Sequence, residues 1–220
     1  MEIIEMKKKE LKNSKRLENG EEQIGRHIGT TRAKKPLLKK EFDRLIHAVK
    51  YNKTCRSTTK PKLMRAFTLL YLTGCRISEI INFATTDLLE TIKYNEYSLT
   101  NATKTKSSRL ISFDTNRIQI EMLKEILPSS EIYLFHTNNA HEPMCVSSLT
   151  TMMNTFIHSV LGTLYSTHSF RAGYITAAHQ LGLSLEHIRQ DIGHASIATT
   201  ARYATVTHTE IAEAKNKRIW

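Results

Sequence analysis

A mainly helical α+β fold with one small antiparallel sheet is the class this sequence predicts. Through most of the chain apolar residues recur at intervals of three and four, the spacing of amphipathic helices. Between Leu88 and Phe113 the pattern changes to aromatic and β-branched residues near alternation, broken by polar turns. With 220 residues, 40% of them hydrophobic, the chain is long enough to bury a core as one domain, or one domain with a tail.

The elements follow in order. Residues 1–35 are lysine-rich, mixed in charge and interrupted by Gly20, Gly25 and Gly29, the composition of a solvated basic arm without a core. Order begins near Pro36. Phe42, Leu45, Ile46 and Val49 mark one helix; Leu63, Ala66, Phe67 and Leu70 mark a second that ends near Gly74, with the basic loop YNKTCRSTTK between them. YNEYSLTNA and RLISF then predict a small three-stranded antiparallel meander across Leu88–Phe113, with TKTKSS (103–108) as its exposed turn. Helices return at about 115–127 and at 147–161, where Leu149, Met152, Met153, Phe156, Ile157, Val160 and Leu161 share one face as a core stripe. In THSFRAGYITAAHQLG (167–182), Tyr174, Ala177, Ala178 and Leu181 read as the core-facing stripe of a further helix, while His168 and Arg171, three apart, point together from its first turn. LSLEHIRQDIGH places Ser184 as N-cap and Gly193 as the C-terminal stop of the next helix. A short helix starts near Ser196, and HTEIAEAKNKRIW forms a tail.

Composition narrows the function class. The 32 Lys and Arg against 21 Asp and Glu give a net charge of +11, which suits a polyanionic partner whose counterions are released on binding, nucleic acid first among them. The apolar run AFTLLYLTGC (66–75) falls short of the ~18 residues a membrane span needs, and the N-terminus carries no secretory h-region. These features predict a cytoplasmic, nucleoid-associated protein, with organelle, plasmid or viral origin left open by its Lys, Ile, Asn and Thr content. Cys55, Cys75 and Cys145 stand far apart without a CxxC pair, which predicts neither a disulfide framework nor a zinc site.

Six side chains could carry chemistry: Arg76, Lys104, His168, Arg171, His194 and Tyr203. Singly, each has an ordinary structural explanation. An arginine after a helix-ending glycine solvates the terminus or pairs with Glu79, lysines in a hairpin turn are wet, and His194 after Gly193 serves a helix C-terminus. Tyr203 alone reads as a packing residue with a polar tip.

Together they resemble the tyrosine recombinases, the phage integrase family. TGCRISEI is similar to that family's first arginine box and THSFRAGYITAA to its His-x-x-Arg box. IGHASIATTARYATV is similar to its Gly-His box, followed nine positions after His194 by the nucleophilic tyrosine, Tyr203. Lys104, in ATKTKSSRLISF, falls at the hairpin lysine and Glu79 at the acidic supporting position; the likeness covers residues 36–207, with 1–35 as the arm and 208–220 as a tail for docking on a neighbouring protomer.

The resemblance implies a helical catalytic domain that cuts and rejoins double-stranded DNA with neither metal nor cofactor. It makes Arg76 and Arg171 a clamp on the nonbridging phosphoryl oxygens, Tyr203 the nucleophile forming a 3′-phosphotyrosyl link, and Lys104 the general acid, with Lys106 in reserve. His168 accepts or orients the tyrosine's proton, His194 donates to a phosphoryl oxygen, and Glu79 braces Arg76 or His168. It also implies a homotetramer on paired sites, monomeric without DNA. Family members place a helical core-binding domain before the catalytic one, whereas about 35 residues precede Pro36, as in a minimal form, a fragment or a copy that depends on a partner. Two other readings stand beside recombination: relaxation or resolution of DNA in the manner of type IB topoisomerases, and a DNA-binding protein whose catalysis has decayed. The His-x-x-Arg spelling favours the recombinases.

Overall fold

Wherever a capping side chain coincides with a buried stripe, the chain is helical. A computed structural model describes residues 34–99, 109–112, 117–128, 131–137 and 142–203. In chain order these give α1 (Lys39–Tyr51), α2 (Thr59–Thr73), α3 (Ile77–Ile80), α4 (Thr85–Tyr94), β1 (Glu96–Leu99), β2 (Arg109–Ser112), α5 (Arg117–Glu125), α6 (Val146–Leu161), α7 (His168–Gln180), α8 (Leu185–Ile192) and α9 (Ile197–Ala201). The expected arm lies outside the described residues, except for its last two, and so does the expected tail. Among the described residues no helix is long and apolar enough to cross a membrane, and no group of three or more His, Cys, Asp or Glu could hold a metal ion.

α2 is the central helix. Leu63, Ala66, Phe67, Leu69 and Leu70 are buried in it, and it lies against α1, α3, α5 and α7. Phe67 stacks on Phe170 of α7 with ring centroids 5.6 Å apart and tilts against Phe156 of α6 at 6.0 Å, so one aromatic cluster joins three helices. Arg65, on the same helix, is buried: its Nε donates to Ile126 O (3.1 Å), its Nη1 to Leu134 O (3.2 Å), and its Nη2 pairs with Glu131 (3.3 Å). That guanidinium fastens the connection after α5 to the core. A second, smaller cluster of Ile175, Ile188 and Ile192 lies between α7 and α8.

The sheet differs from the expectation. Among the described residues it has two strands, not three: β1 and β2 pair antiparallel with Glu96 opposite Ser112 and Leu99 opposite Arg109. Of the Leu88–Phe113 span expected to form the meander, residues 88–94 belong instead to α4. Asp87 Oδ2 caps the Ala84 amide at 2.8 Å, Leu88 and Thr91 are buried at helical spacing, and Asn95 at φ 58° ends the helix in the left-handed region. Capping and a period of three overrode the β-branched composition. β2 also lies against α8.

α7 buries half of the expected stripe, Tyr174 and Ala178 packing against the Ile175, Ile188 and Ile192 cluster, and it buries further residues that the stripe did not include. Phe170, Arg171, Ala172, Gly173 and Ile175 are buried, whereas Ala177 is exposed and Leu181 is 81% exposed. The reason is the extended segment before α1, which lies across α7: Leu37 N donates to Ser169 O at 2.9 Å, and Lys35 N to Leu164 O at 3.3 Å. Gly173 makes this contact possible, because a Cβ there would sit 1.9 Å from Leu37 O and 2.7 Å from Leu37 C, both backbone atoms. Gly173→Ala is therefore expected to destabilise the protein by about 1–3 kcal/mol, seen as a lower urea midpoint; an unchanged midpoint would refute the close approach.

Candidate active site

Two helices that end in glycine deliver the site. α2 stops at Gly74, whose φ of 60° turns the chain out of the helix. A Cβ there would meet the Tyr174 ring at 2.8 Å, so the position has neither the backbone conformation nor the room for a side chain. Two residues later Arg76 opens α3. Glu79, 2% exposed, accepts from the Arg76 amide through Oε2 and from Arg76 Nη1 through Oε1, both at 2.8 Å. One buried carboxylate thus fixes both the backbone and the guanidinium of Arg76, whose side chain stays 40% exposed. The bracing expected of Glu79 falls on Arg76.

α7 starts from a tight turn in which Thr167 N donates to Asn154 Oδ1 of α6 at 2.9 Å and Ser166 N to Ser169 Oγ at 3.0 Å. This sets His168, exposed, and Arg171, 6% exposed, one helical turn apart. Arg171 Nη1 donates to Gly74 O at 2.8 Å, its Nη2 donates to Ile192 O, and its Nε donates to His194 Nε2 at 3.2 Å. Gly74 and Ile192 stand at the C-terminal ends of α2 and α8, where the helix dipoles are negative, so the buried guanidinium sits where two such ends converge.

α8 stops at Gly193, φ 66°, and His194 follows. Its amide donates to Arg189 O at 2.9 Å and its carbonyl accepts from Arg189 Nη1 at 3.0 Å, so one arginine holds the histidine's backbone on both sides. Arg189 is in turn gripped by Glu186 at 2.8 and 2.6 Å. The imidazole is buried, with Nε2 on Arg171 and Nδ1 3.0 Å from Thr200 Oγ1.

Arg76, His168 and Arg171 line one cleft of about 190 Å³, together with Ser78 of α3, Thr150 of α6 and Thr167. Two guanidiniums and an imidazole facing a small open hollow form a cradle for an anion. His194 is not among the cleft-lining residues; it reaches the cleft through Arg171. Tyr203 is not among them either: it packs against the Ile175, Ile188 and Ile192 cluster, its amide donating to Thr200 O at 3.0 Å and its carbonyl accepting from Thr176 Oγ1 at 3.2 Å. Lys104 and Lys106 lie outside the described residues.

Sequence reasoning missed four contributors: the carbonyls of Gly74 and Ile192, the Thr200 hydroxyl and Arg189. A signal for the first two was present, since TGCR and IGH both put a site residue one or two positions after a helix-stopping glycine. Thr200 and Arg189 act through tertiary contacts that leave no periodic trace.

The phage integrase family model matches residues 35–210 of the chain. Tyrosine recombinase XerC of Staphylococcus carnosus (strain TM300) is 27% identical over 150 residues, covering 65% of this chain and 49% of that protein, so the chain spans about half the length of the curated relative it matches. Among solved structures, the XerH site-specific recombinase bound to palindromic difH substrate in a post-cleavage complex superposes with a TM-score of 0.63 at 18% identity, over 84% of this chain and 53% of that one. The catalytic domain of bacteriophage HP1 integrase superposes with a TM-score of 0.53 at 19% identity, over 84% of this chain and 95% of that one. At such identities the structural likeness is one of fold.

Two predictions follow from the cleft's supports. Hydrogen bonds from Arg189 and then Gln190 hold the Glu186 carboxyl down to about 2 from its ordinary 4.5. A depressed carboxyl stabilises the fold above its unfolded pKa and loses that effect as pH falls through the folded one. Glu186→Gln should thus lower the melting temperature at pH 7, and the gap to wild type should close between pH 4.5 and about 2. Beside the cleft wall, Cys145 precedes α6, and the hydroxyls of Ser147 and Ser148 lower its thiol to about 7. Iodoacetamide at pH 7 should label this exposed thiol before the half-buried Cys55 and the buried Cys75, and replacing both serines with alanine should slow it; equal labelling of the three would contradict this.

Proposed function

The chain belongs to the phage integrase family, and on that premise we propose that it is a site-specific recombinase, cutting and rejoining double-stranded DNA through a 3′-phosphotyrosyl intermediate. The observation that carries the reading is the shared cleft of Arg76, His168 and Arg171, with Glu79 bonded to the first arginine and His194 to the second. A scissile phosphate in that hollow meets two guanidiniums, which stabilise the extra negative charge of a pentacoordinate transition state. Both are held by buried partners before substrate arrives, so little reorganisation remains at the moment of reaction.

In this scheme the Tyr203 oxygen attacks phosphorus, the bond from phosphorus to the 5′-oxygen breaks, and the 5′-oxygen takes a proton from Lys104. His168, on the cleft wall, accepts the proton of the tyrosine. His194 acts through Arg171 in this arrangement, both its ring nitrogens being engaged with protein groups. The phosphotyrosyl link conserves the energy of the broken bond, so that a second strand's 5′-hydroxyl reverses the step with neither ATP nor a metal ion. Attack requires α9 and the turn after it to bring Tyr203 from the isoleucine cluster to the cleft.

The net charge of +11 supports a DNA partner, as does the fold shared with a recombinase bound to its difH substrate. The family match over 35–210 supports a catalytic domain at 36–207. To these we add a basic arm at 1–35, a tail at 208–220 that docks on a neighbouring protomer, a homotetramer on paired sites, and a location with the DNA of the cell, plasmid or virus.

The test uses nicked duplex fragments drawn from the source genome, incubated with the full chain and resolved on a denaturing gel. Wild type is expected to give a covalent protein–DNA adduct; Tyr203→Phe should give none while keeping salt-sensitive DNA binding. Arg76→Ala and Arg171→Ala should each lower adduct formation about 10²–10³-fold. Binding without any adduct from wild type would favour a DNA-binding protein whose catalysis has decayed.

A further inference from the structure

We infer that Thr200 positions Arg171 through His194, by fixing which imidazole nitrogen carries the proton. The inference rests on the reading that Arg171 clamps the phosphoryl group, and it assigns a part in that clamp to a residue outside the cleft.

A guanidinium N–H can only donate, so at 3.2 Å from Arg171 Nε the His194 Nε2 must be the acceptor. The ring proton then sits on Nδ1, which points at Thr200 Oγ1, 3.0 Å away. Thr200 is fully buried, so water does not stand in for its hydroxyl. The backbone of His194 is held independently by Arg189 on both sides. What the hydroxyl governs is therefore the ring: which way it faces and which nitrogen is bare. An apolar side chain of the same shape would take the acceptor at 3.0 Å away from a buried N–H, and moving the proton to Nε2 would set two N–H groups against each other at the Arg171 contact. Arg171 would keep Gly74 O and Ile192 O but lose the ring-nitrogen contact that helps fix the plane of its guanidinium. The Thr200 carbonyl also accepts from the Tyr203 amide at 3.0 Å, so the turn that carries the nucleophile and the support of the clamp meet in one residue.

The experiment compares the full chain with Thr200→Val and Thr200→Ser. In protein labelled with 15N-histidine, long-range proton–nitrogen correlations distinguish a protonated from a bare ring nitrogen. Wild type and Thr200→Ser should show His194 protonated at Nδ1 and bare at Nε2; Thr200→Val should move the proton to Nε2 in whole or in part. In the adduct assay Thr200→Val should be slower by about 10–100-fold, with DNA affinity little changed and Thr200→Ser close to wild type. A wild-type ring protonated at Nε2 overturns the inference whether or not the valine variant folds, and so does a folded Thr200→Val that cleaves like wild type. Should wild type form no adduct at all, the recombinase reading fails, while the ring spectrum still decides what Thr200 does to His194.

Discussion

Arg171 is the point on which the structure turns. A guanidinium that is 6% exposed is expensive to bury unless its donors are met, and here three of its five N–H groups point at carbonyls from two other helices and at a ring nitrogen. α2, α7 and α8 must therefore end or begin within hydrogen-bond reach of one side chain. The two glycines at +60° and +66° follow from that demand, because each helix has to stop and turn away at the place where its last carbonyls face the arginine. The site is thus built into the way the helices terminate. Removing the arginine would leave two helix ends facing a buried gap.

The second constraint is steric. The segment before α1 runs across α7 at Gly173, closer than any side chain would allow, while the Phe67, Phe156 and Phe170 cluster fixes α7 against α2 and α6. α7 cannot rotate without breaking one or the other. Its first turn accordingly presents His168 and Arg171 at a set angle to Arg76, which Glu79 fixes separately. These two close contacts are what let three cationic or imidazole groups share a hollow of about 190 Å³.

Much of this was legible in the sequence, and the failures have physical causes. The stripes of α1 and α6 were plain because each buries one face, so periodicity and burial coincide, whereas α2, buried on several sides, showed only part of its core residues as a stripe. α4 was misread as a strand because Thr91, Ile92 and Tyr94 favour sheet by composition, while a single aspartate cap decides for helix. The stripe of α7 was half right, Tyr174 and Ala178 lying on the isoleucine cluster; the rest was misplaced because residues 169–173 are buried in succession, which leaves the first half of the helix without a distinctive apolar face. Order and spacing of the boxes pointed to Arg76, His168 and Arg171, which do share a cleft; nothing in them could tell that Tyr203 packs on isoleucines or that Thr200 holds His194.

That resting place of Tyr203 bears on tempo and on safety. Under the proposed mechanism, a phenol that packs on an apolar cluster, with its own amide and carbonyl bonded to Thr200 and Thr176, is withheld from stray phosphodiesters until a short segment is released. The proposed reaction would then be paced by a conformational gate ahead of the chemistry, and the proposed DNA or neighbouring protomer would be what loosens it.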